Sequence, residues 1–222
     1  MRTNSNYREI EITCISDTHC AEVYLEEGDI LIHAGDLTYQ GKLQETVRQL
    51  DWIARQKFRH KIIVPGNHER GWEQGRIDYE RLCYERGIQI LNDSSLTVMG
   101  IKLYGSPITP KFYDWAWMRE PGEEIEQVWK DIPEGIDILV THGPPYGILD
   151  KNSYGEHCGC NDLLKHVKRV KPKLHVFGHI HEGYGQTVKH GIRFINAAIM
   201  DGKYQPINMP TRLVMGVDVN DI

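Results

Sequence analysis

The chain has 222 residues, of which 40% are hydrophobic and 26% charged, and a formal net charge of −5, a composition that implies one folded globular domain over 1–222. The acidic balance excludes an unaided grip on a nucleic-acid backbone, which needs a basic surface, so no strong nucleic-acid binding is expected. No apolar run approaches the ~18 residues that span a bilayer, residues 1–8 read as a flexible N-terminus without an apolar signal core, and five cysteines are an odd number in a chain long enough to fold without staples; a cytoplasmic protein with no membrane contact is the expectation.

Taken in chain order, short β-like runs alternate with helical stretches. Ile10 to Ile15 reads as a first strand ending at Asp17, and Asp29 to Ala34 as a buried strand ending at Gly35-Asp36. Leu43, Val47, Leu50 and Ala54 recur at helical spacing and predict an amphipathic helix over 41–57. Lys61 to Val64 is the next strand, stopped by Pro65-Gly66 ahead of Asn67-His68, and a helix over 75–86 is closed by Gly87. Short strands follow at 88–91, 96–99 and 101–105, then a helix at 122–131 and a strand from Ile136 to Thr141 that ends at His142. Asn161 is suited to cap a helix carrying Leu163, Leu164, Val167 and Val170 on one face. Leu174 to Phe177 is a strand ending at Gly178-His179, with strands at 185–189, 192–197 and 213–218 after it.

Five polar blocks therefore sit at the carboxyl ends of predicted strands, where open α/β sheets gather their ligands: Asp17-Thr18-His19, Gly35-Asp36, Gly66-Asn67-His68-Glu69, His142, and Gly178-His179-Ile180-His181. Each alone has a bland reading as a turn or cap. Jointly they supply enough nitrogen and oxygen for two metal ions, with one histidine to spare. Asp17 and His19 lie two apart, so on an extended segment they point the same way and can chelate one ion, which His181 can complete. Asp36 can bridge, and Asn67, His142 and His179 can complete a second ion. The donors include no thiolate; mixed imidazole, carboxylate and amide suit manganese, iron or zinc better than magnesium.

With these blocks in place, the chain resembles the calcineurin-like metallophosphoesterase family, whose pattern runs DxH, GD, GNH(E/D), H and GHxH; every element is present over residues 9–219. Ile32-His33-Ala34-Gly35-Asp36-Leu37-Thr38, Tyr104-Gly105-Ser106-Pro107, Pro110-Lys111-Phe112-Tyr113-Asp114-Trp115 and Gly178-His179-Ile180-His181-Glu182-Gly183-Tyr184-Gly185 make it most similar to the metallophosphoesterase-domain-containing (MPPED-type) subgroup. The resemblance implies an α/β fold, a four-layer β-sandwich flanked by helices on both faces, with the site at one sheet edge. It places Asp17, His19, Asp36 and His181 on one ion and Asp36, Asn67, His142 and His179 on the other; some relatives lack the first histidine of GHxH, here His179. It leaves His68 unligated beside the substrate phosphate, so that His68, Asn67 and Asp36 form the catalytic set. The cofactors implied are two divalent or mixed-valence transition-metal ions, manganese first, with iron or zinc as alternatives. The function implied is hydrolysis of a small phosphodiester or nucleotide, cyclic nucleotides among them. Two cations ~3.5–4 Å apart would acidify a bridging water for in-line attack, while His68 gives the leaving oxygen its proton.

Other segments carry weaker readings. Glu69 can orient His68 or a ligand, or be a solvated loop carboxylate. Residues 112–118 are rich in aromatics that can stack on a base or fill the core. His33 and His175 lie in apolar strands and read as structural; Tyr146 and Tyr154 fall in a long loop where a lid can form; Cys158-Gly159-Cys160 reads as a reduced loop, with a zinc site beside His157 as the lesser reading; Lys168, Arg169 and Lys171 read as a solvated helix end. The rival functions are a phosphomonoesterase or protein phosphatase of the same fold and a non-catalytic interaction scaffold. The first carries an arginine clamp beside GD and GNHE, where this chain has Leu37-Thr38-Tyr39 and Val64-Pro65; the second predicts eroded ligands, and none is eroded.

Overall fold

The computed structural model describes residues 7–218. Strand β1 (Tyr7–Ile15) alternates: Ile10, Ile12 and Cys14 point into one apolar layer while Ile15 faces a second. Strand β2 (Gly28–His33) repeats this with Ile30 and Ile32 on the inside and Leu31 on the outside. A period of two with both faces apolar requires cover on both sides. On the inside, the cover is a second sheet. Strands β3 (Phe58–Ile63), β4 (Gln89–Ile90) and β13 (Thr211–Asp218) complete the first sheet in the order β13-β1-β2-β3-β4. The second sheet is β11-β12-β10-β9-β6-β5, from β5 (Ser94–Val98), β6 (Ile101–Ser106), β9 (Ile138–Thr141), β10 (Leu174–Phe177), β11 (Gly185–Lys189) and β12 (Ile192–Asn196). Val64, Leu103, Ile138, Val140, Val176 and Ile195 fill the layer between them.

Helices cover the outer faces. Helix α1 (Leu43–Ala54), the crossover from β2 to β3, packs with α3 (Tyr79–Tyr84), which touches β4. Helix α4 (Glu123–Lys130) packs with α5 (Asn161–Val170), the crossover from β9 to β10. Trp52, Ile53, Trp129, Leu163 and Val167 are buried with Leu31, Ile63, Leu139 and Phe177 in the outer apolar cluster. The architecture is thus the expected sandwich flanked by helices.

Several boundaries differ from expectation. The helix predicted over 75–86 is shortened to α3, because Gly75 takes φ +66° and Asp78 starts the helix by accepting from Arg81 N; a separate short helix, α2 (Arg70–Glu73), precedes the predicted range. Helix α5 is capped by Cys160, whose sulfur accepts from Leu163 N, and Asn161 is its first helical residue. The two-stranded ribbon β7 (Thr109–Pro110) and β8 (Met118–Arg119) has no sequence period long enough to announce it. Tyr7 and Arg8, expected in a flexible N-terminus, pair instead with Asp218 and Val217; the rest of that expected segment, 1–6, lies outside the described residues. Among the described residues no helix is long and apolar enough to cross a membrane.

Candidate metal centre

Parallel strands β1, β2 and β3 end together at one edge of the first sheet, and β9 and β10 at the matching edge of the second. The loops after them carry all five polar blocks. Asp17, His19, Asp36, Asn67, His142 and His181 are each at least nine-tenths buried. The backbone there is not extended as the spacing of Asp17 and His19 suggested. Asp17, His19, Asp36 and His179 have φ of 51°, 40°, 56° and 69°, the left-handed region that non-glycine residues seldom occupy. Strain of this kind persists where surrounding contacts over-determine it and gathers at functional sites. Close approach makes two glycines obligatory. A Cβ on Gly66 would lie 2.3 Å from Asp36 Oδ1, and one on Gly178 1.9 Å from Asp17 Oδ2.

The two sheets are tied across the site. His179 N donates to both carboxylate oxygens of Asp17, at 3.1 and 2.9 Å. Glu69 is fully buried and accepts from Asp36 N, Thr38 N, Thr38 Oγ1 and Gly66 N at 2.7–3.1 Å. It is therefore no solvated loop carboxylate, nor does it hold the His68 ring: it clamps the Gly35-Asp36 and Gly66-Asn67 loops together. Burial, with the Asp36 charge, pushes it up to about 8 against those hydrogen bonds.

The imidazoles show one pattern. A carbonyl can only accept, so each ring nitrogen facing one must carry the proton. His19 Nδ1 donates to Thr38 O (3.3 Å), His68 Nδ1 to Tyr39 O (2.6 Å), His142 Nδ1 to Ala34 O (2.9 Å) and His181 Nδ1 to Asp201 O (3.0 Å). Metal-ligating histidines are habitually oriented this way. The Nε2 atoms then point inward at groups of the same kind. His19 Nε2 and His181 Nε2 are 3.3 Å apart, with Asp17 Oδ1 3.3 Å from the latter. His142 Nε2 faces Asn67 Oδ1 at 2.9 Å and Asp36 Oδ2 at 3.3 Å. Lone pairs aimed at lone pairs in a buried site are unfavourable unless a proton or a metal cation lies between them. Three groups place their ligand atoms within 4.8 Å of one another: Asp17, His19 and His181; Asp36, His142 and His179; and His19, Asp36 and His68. With Asn67 beside His142, all seven expected ligands converge, and Asp36 stands between the outer groups. The donors present fit two divalent ions.

Charge follows the same geometry. Burial opposes ionisation of Asp17 and Asp36, yet the hydrogen bond and charge of His181 on one, and the charge and hydrogen bond of His142 on the other, hold both well below the usual carboxylate range. Burial would also neutralise His142 and His181, but Asp36 and Asp17 raise each to about 9. His19 and His179 are driven down to about 4, chiefly by burial. Metal cations would supply the positive charge that protons on His142 and His181 otherwise bring.

A cleft of about 450 Å³ opens over the site, lined by Asp36, Asn67, His68, His179 and His181 and, on its walls, by Phe112, Trp115, Asn152 and Tyr204. The aromatic segment divides its labour. Trp115 stacks on His68 at 4.5 Å and Phe112 is exposed in the cleft, whereas Ala116 and Trp117 are buried in the core. Tyr39 and Tyr204, which sequence reasoning missed, pack around His19, Tyr39 stacked at 5.5 Å and Tyr204 tilted at 4.9 Å; nothing in their sequence setting signals this. His33 and His175 are fully buried and structural, on Thr18 and Thr141 hydroxyls. His157 pairs with Asp150 at 2.6 Å, Cys158 is exposed and Cys160 buried, so these do not form a metal group among the described residues. Arg169 is not merely solvated: it donates to Trp129, Lys130 and Ile132 carbonyls at the end of α4. Tyr146 and Tyr154 are exposed on the loop after His142, away from the cleft walls.

The calcineurin-like phosphoesterase family model matches residues 10–183. The human metallophosphoesterase domain-containing protein 1 is 38% identical over 89% of this chain and 68% of its own length. A UPF0046 protein of Caenorhabditis elegans is 38% identical over 90% of this chain and 80% of its own. Among solved structures, the phosphopantetheinyl hydrolase of Mycobacterium tuberculosis shares the fold at a TM-score of 0.60 and 20% identity, over 93% of this chain and 95% of that one. A fold of two sheets with their strand ends converging on paired carboxylate–imidazole groups, and a family match that spans those groups, lead to one conclusion: the chain belongs to the calcineurin-like phosphoesterases and is a metallophosphoesterase.

Proposed function

We propose that the protein is a binuclear phosphodiesterase acting on small phosphodiesters, cyclic nucleotides among them. Asp17, His19, Asp36 and His181 would hold one ion, and Asp36, Asn67, His142 and His179 the other, with Asp36 common to both sets. The observation that carries this reading is the inward Nε2 set, whose Nδ1 protons are already committed to Thr38, Ala34 and Asp201 carbonyls. When bound, the two ions supply Lewis acidity toward the phosphate oxygens and toward an attacking water. Manganese is the first expectation for this donor set, with iron or zinc as alternatives.

His68 supplies the proton. Its Nδ1 is fixed on Tyr39 O and its ring lies against Trp115, so Nε2 is aimed at the cleft, 3.9 Å from Asp36 Oδ2. A protonated Nε2 can then serve a leaving oxygen. Phe112 offers an exposed aromatic surface on the wall of that cleft, suited to a base, in a cleft of nucleotide size. The five free thiols accord with a cytoplasmic setting.

Diesters are favoured over monoesters because the cleft lining lacks an arginine for a second phosphate charge; its one lysine, Lys111, is engaged by Glu120 at 2.5 Å. The test is kcat/KM with manganese for bis(p-nitrophenyl) phosphate against p-nitrophenyl phosphate. The diester is expected to win, and a higher value for the monoester would replace this reading by a phosphomonoesterase.

A further inference from the structure

Beyond Trp115 lies a second groove that the reaction described above does not use. Gln40, Lys42, Leu43, Arg70, Gln74, Arg76 and Trp115 line it, and its volume is about 660 Å³. It contains three cations and no carboxylate, in a chain whose net charge is −5. Several surface arginines elsewhere are matched: Arg48, Arg59, Arg81, Arg86 and Arg212 each face a carboxylate. Among the described residues, Lys42, Arg70 and Arg76 take part in no ion pair. Arg70 instead lies over the Trp115 ring, 5.6 Å from its centroid. The same ring lies 4.5 Å from the His68 ring. One indole thus lines both the reaction cleft and the cationic groove and lies against both His68 and Arg70.

We infer that this groove is a subsite for a second phosphate group of the substrate, carried beside the phosphodiester. The inference rests on the phosphodiesterase reading and narrows it to substrates with an additional terminal phosphate, such as a nucleoside cyclic phosphate that also carries a phosphate on its far hydroxyl. Trp115 lies 4.5 Å from His68 and 5.6 Å from Arg70, so the groove adjoins the reaction cleft through one side chain. Guanidinium groups match phosphate oxygens in a planar fork, and Lys42 adds a point charge at the rim. The second phosphate remains intact; only the diester bond is cleaved. The cations are open to solvent in part, so the selectivity they confer must weaken with salt.

Two measurements separate this inference from the reading beneath it. The manganese-loaded protein is titrated with adenosine 3′,5′-bisphosphate and with adenosine 5′-monophosphate and adenosine 3′-monophosphate, following tryptophan fluorescence, and hydrolysis of bis(p-nitrophenyl) phosphate is assayed on the same samples. The bisphosphate is expected to bind on the order of 10-fold tighter than the better monophosphate at low salt. That preference should fall toward unity in Arg76→Gln and Lys42→Gln, both solvent-exposed changes that leave the core untouched. Equal binding of bisphosphate and monophosphate by the parent, or a preference that survives in both variants, overturns the subsite whether or not the diester is hydrolysed. A bisphosphate preference that the variants abolish, in a protein inert toward the diester, keeps the subsite and overturns the phosphodiesterase reading instead.

Discussion

A leaving oxygen needs an acid in proportion to its basicity, and His68 is the residue on which this account depends for that proton. With Nδ1 on Tyr39 O and the ring against Trp115, Nε2 alone is free to act. His68→Ala should slow hydrolysis of a cyclic nucleotide, whose leaving group is a sugar hydroxyl, by ~10²–10⁴-fold. It should slow bis(p-nitrophenyl) phosphate far less, since p-nitrophenolate leaves as an anion. Equal losses on both would mean that His68 holds the phosphate and gives up no proton. His175 makes a separate case. Thr141 Oγ1 donates to Gly143 O, so His175 donates to Thr141 from Nε2, and its Nδ1 has no partner. Burial drives it down to about 3. An unfolded histidine binds its proton near 6.5, so between those values the unfolded chain holds more protons, and the stability associated with neutral His175 is lost as pH falls from about 6.5 toward 3. At pH 5 the loss is about 2 kcal/mol. Urea unfolding of the parent and His175→Leu should therefore show a stability difference that shifts by that amount against the parent between pH 7 and pH 5; parallel curves would refute it. The identity of these residues was legible in the sequence. Their tautomers were not, because the groups that set them are backbone carbonyls at Thr38, Tyr39, Ala34 and Asp201, where any side chain would serve.

At the scale of elements, the strand ends were legible because Gly, Asp and His interrupt apolar runs abruptly, and the crossing of buried strands leaves such residues only one edge to occupy. The loops were less so. The late start of α3 escaped because Ile77, Leu82 and Cys83 keep an approximately helical spacing across Asp78, so periodicity passes over the non-helical residues 75–78. The sulfur cap of α5 escaped for a different reason: cysteine is a poor acceptor beside an asparagine, and the chain's entry path from Pro145 and Asp150 decides which residue arrives at the helix end. Glu69 shows what tertiary context adds. Its four donors come from two loops, one of them some thirty residues earlier in the chain. Glu69→Ala leaves buried N–H and O–H groups without acceptors, each worth about 1–3 kcal/mol. The variant should lose at least about 3 kcal/mol of stability in urea and bind manganese more weakly. A loss under about 1 kcal/mol would show that water replaces the carboxylate and that the clamp is not structural.

Across the whole molecule, function depends on two sheets meeting at one edge. Asp17, His19, Asp36 and Asn67 come from the first, His142, His179 and His181 from the second, and the His179-to-Asp17 hydrogen bonds join them. The apolar layer of Ile12, Ile32, Val64, Val140 and Val176 between the sheets fixes how close these two sets come. The order of motifs disclosed the family in advance of any coordinates, while the aromatic cleft wall and the cationic groove behind Trp115 emerged only from the fold, since Lys42, Arg70 and Arg76 carry no spacing that marks them as neighbours. The central claim is that two metal ions share Asp36. It is tested most directly by elemental analysis of the purified protein and of Asp36→Ala after equilibration with manganese. The account predicts two ions per chain in the parent and loss of both in the variant, because one carboxylate serves both positions. A variant that keeps two ions, or a parent that binds none, would contradict it.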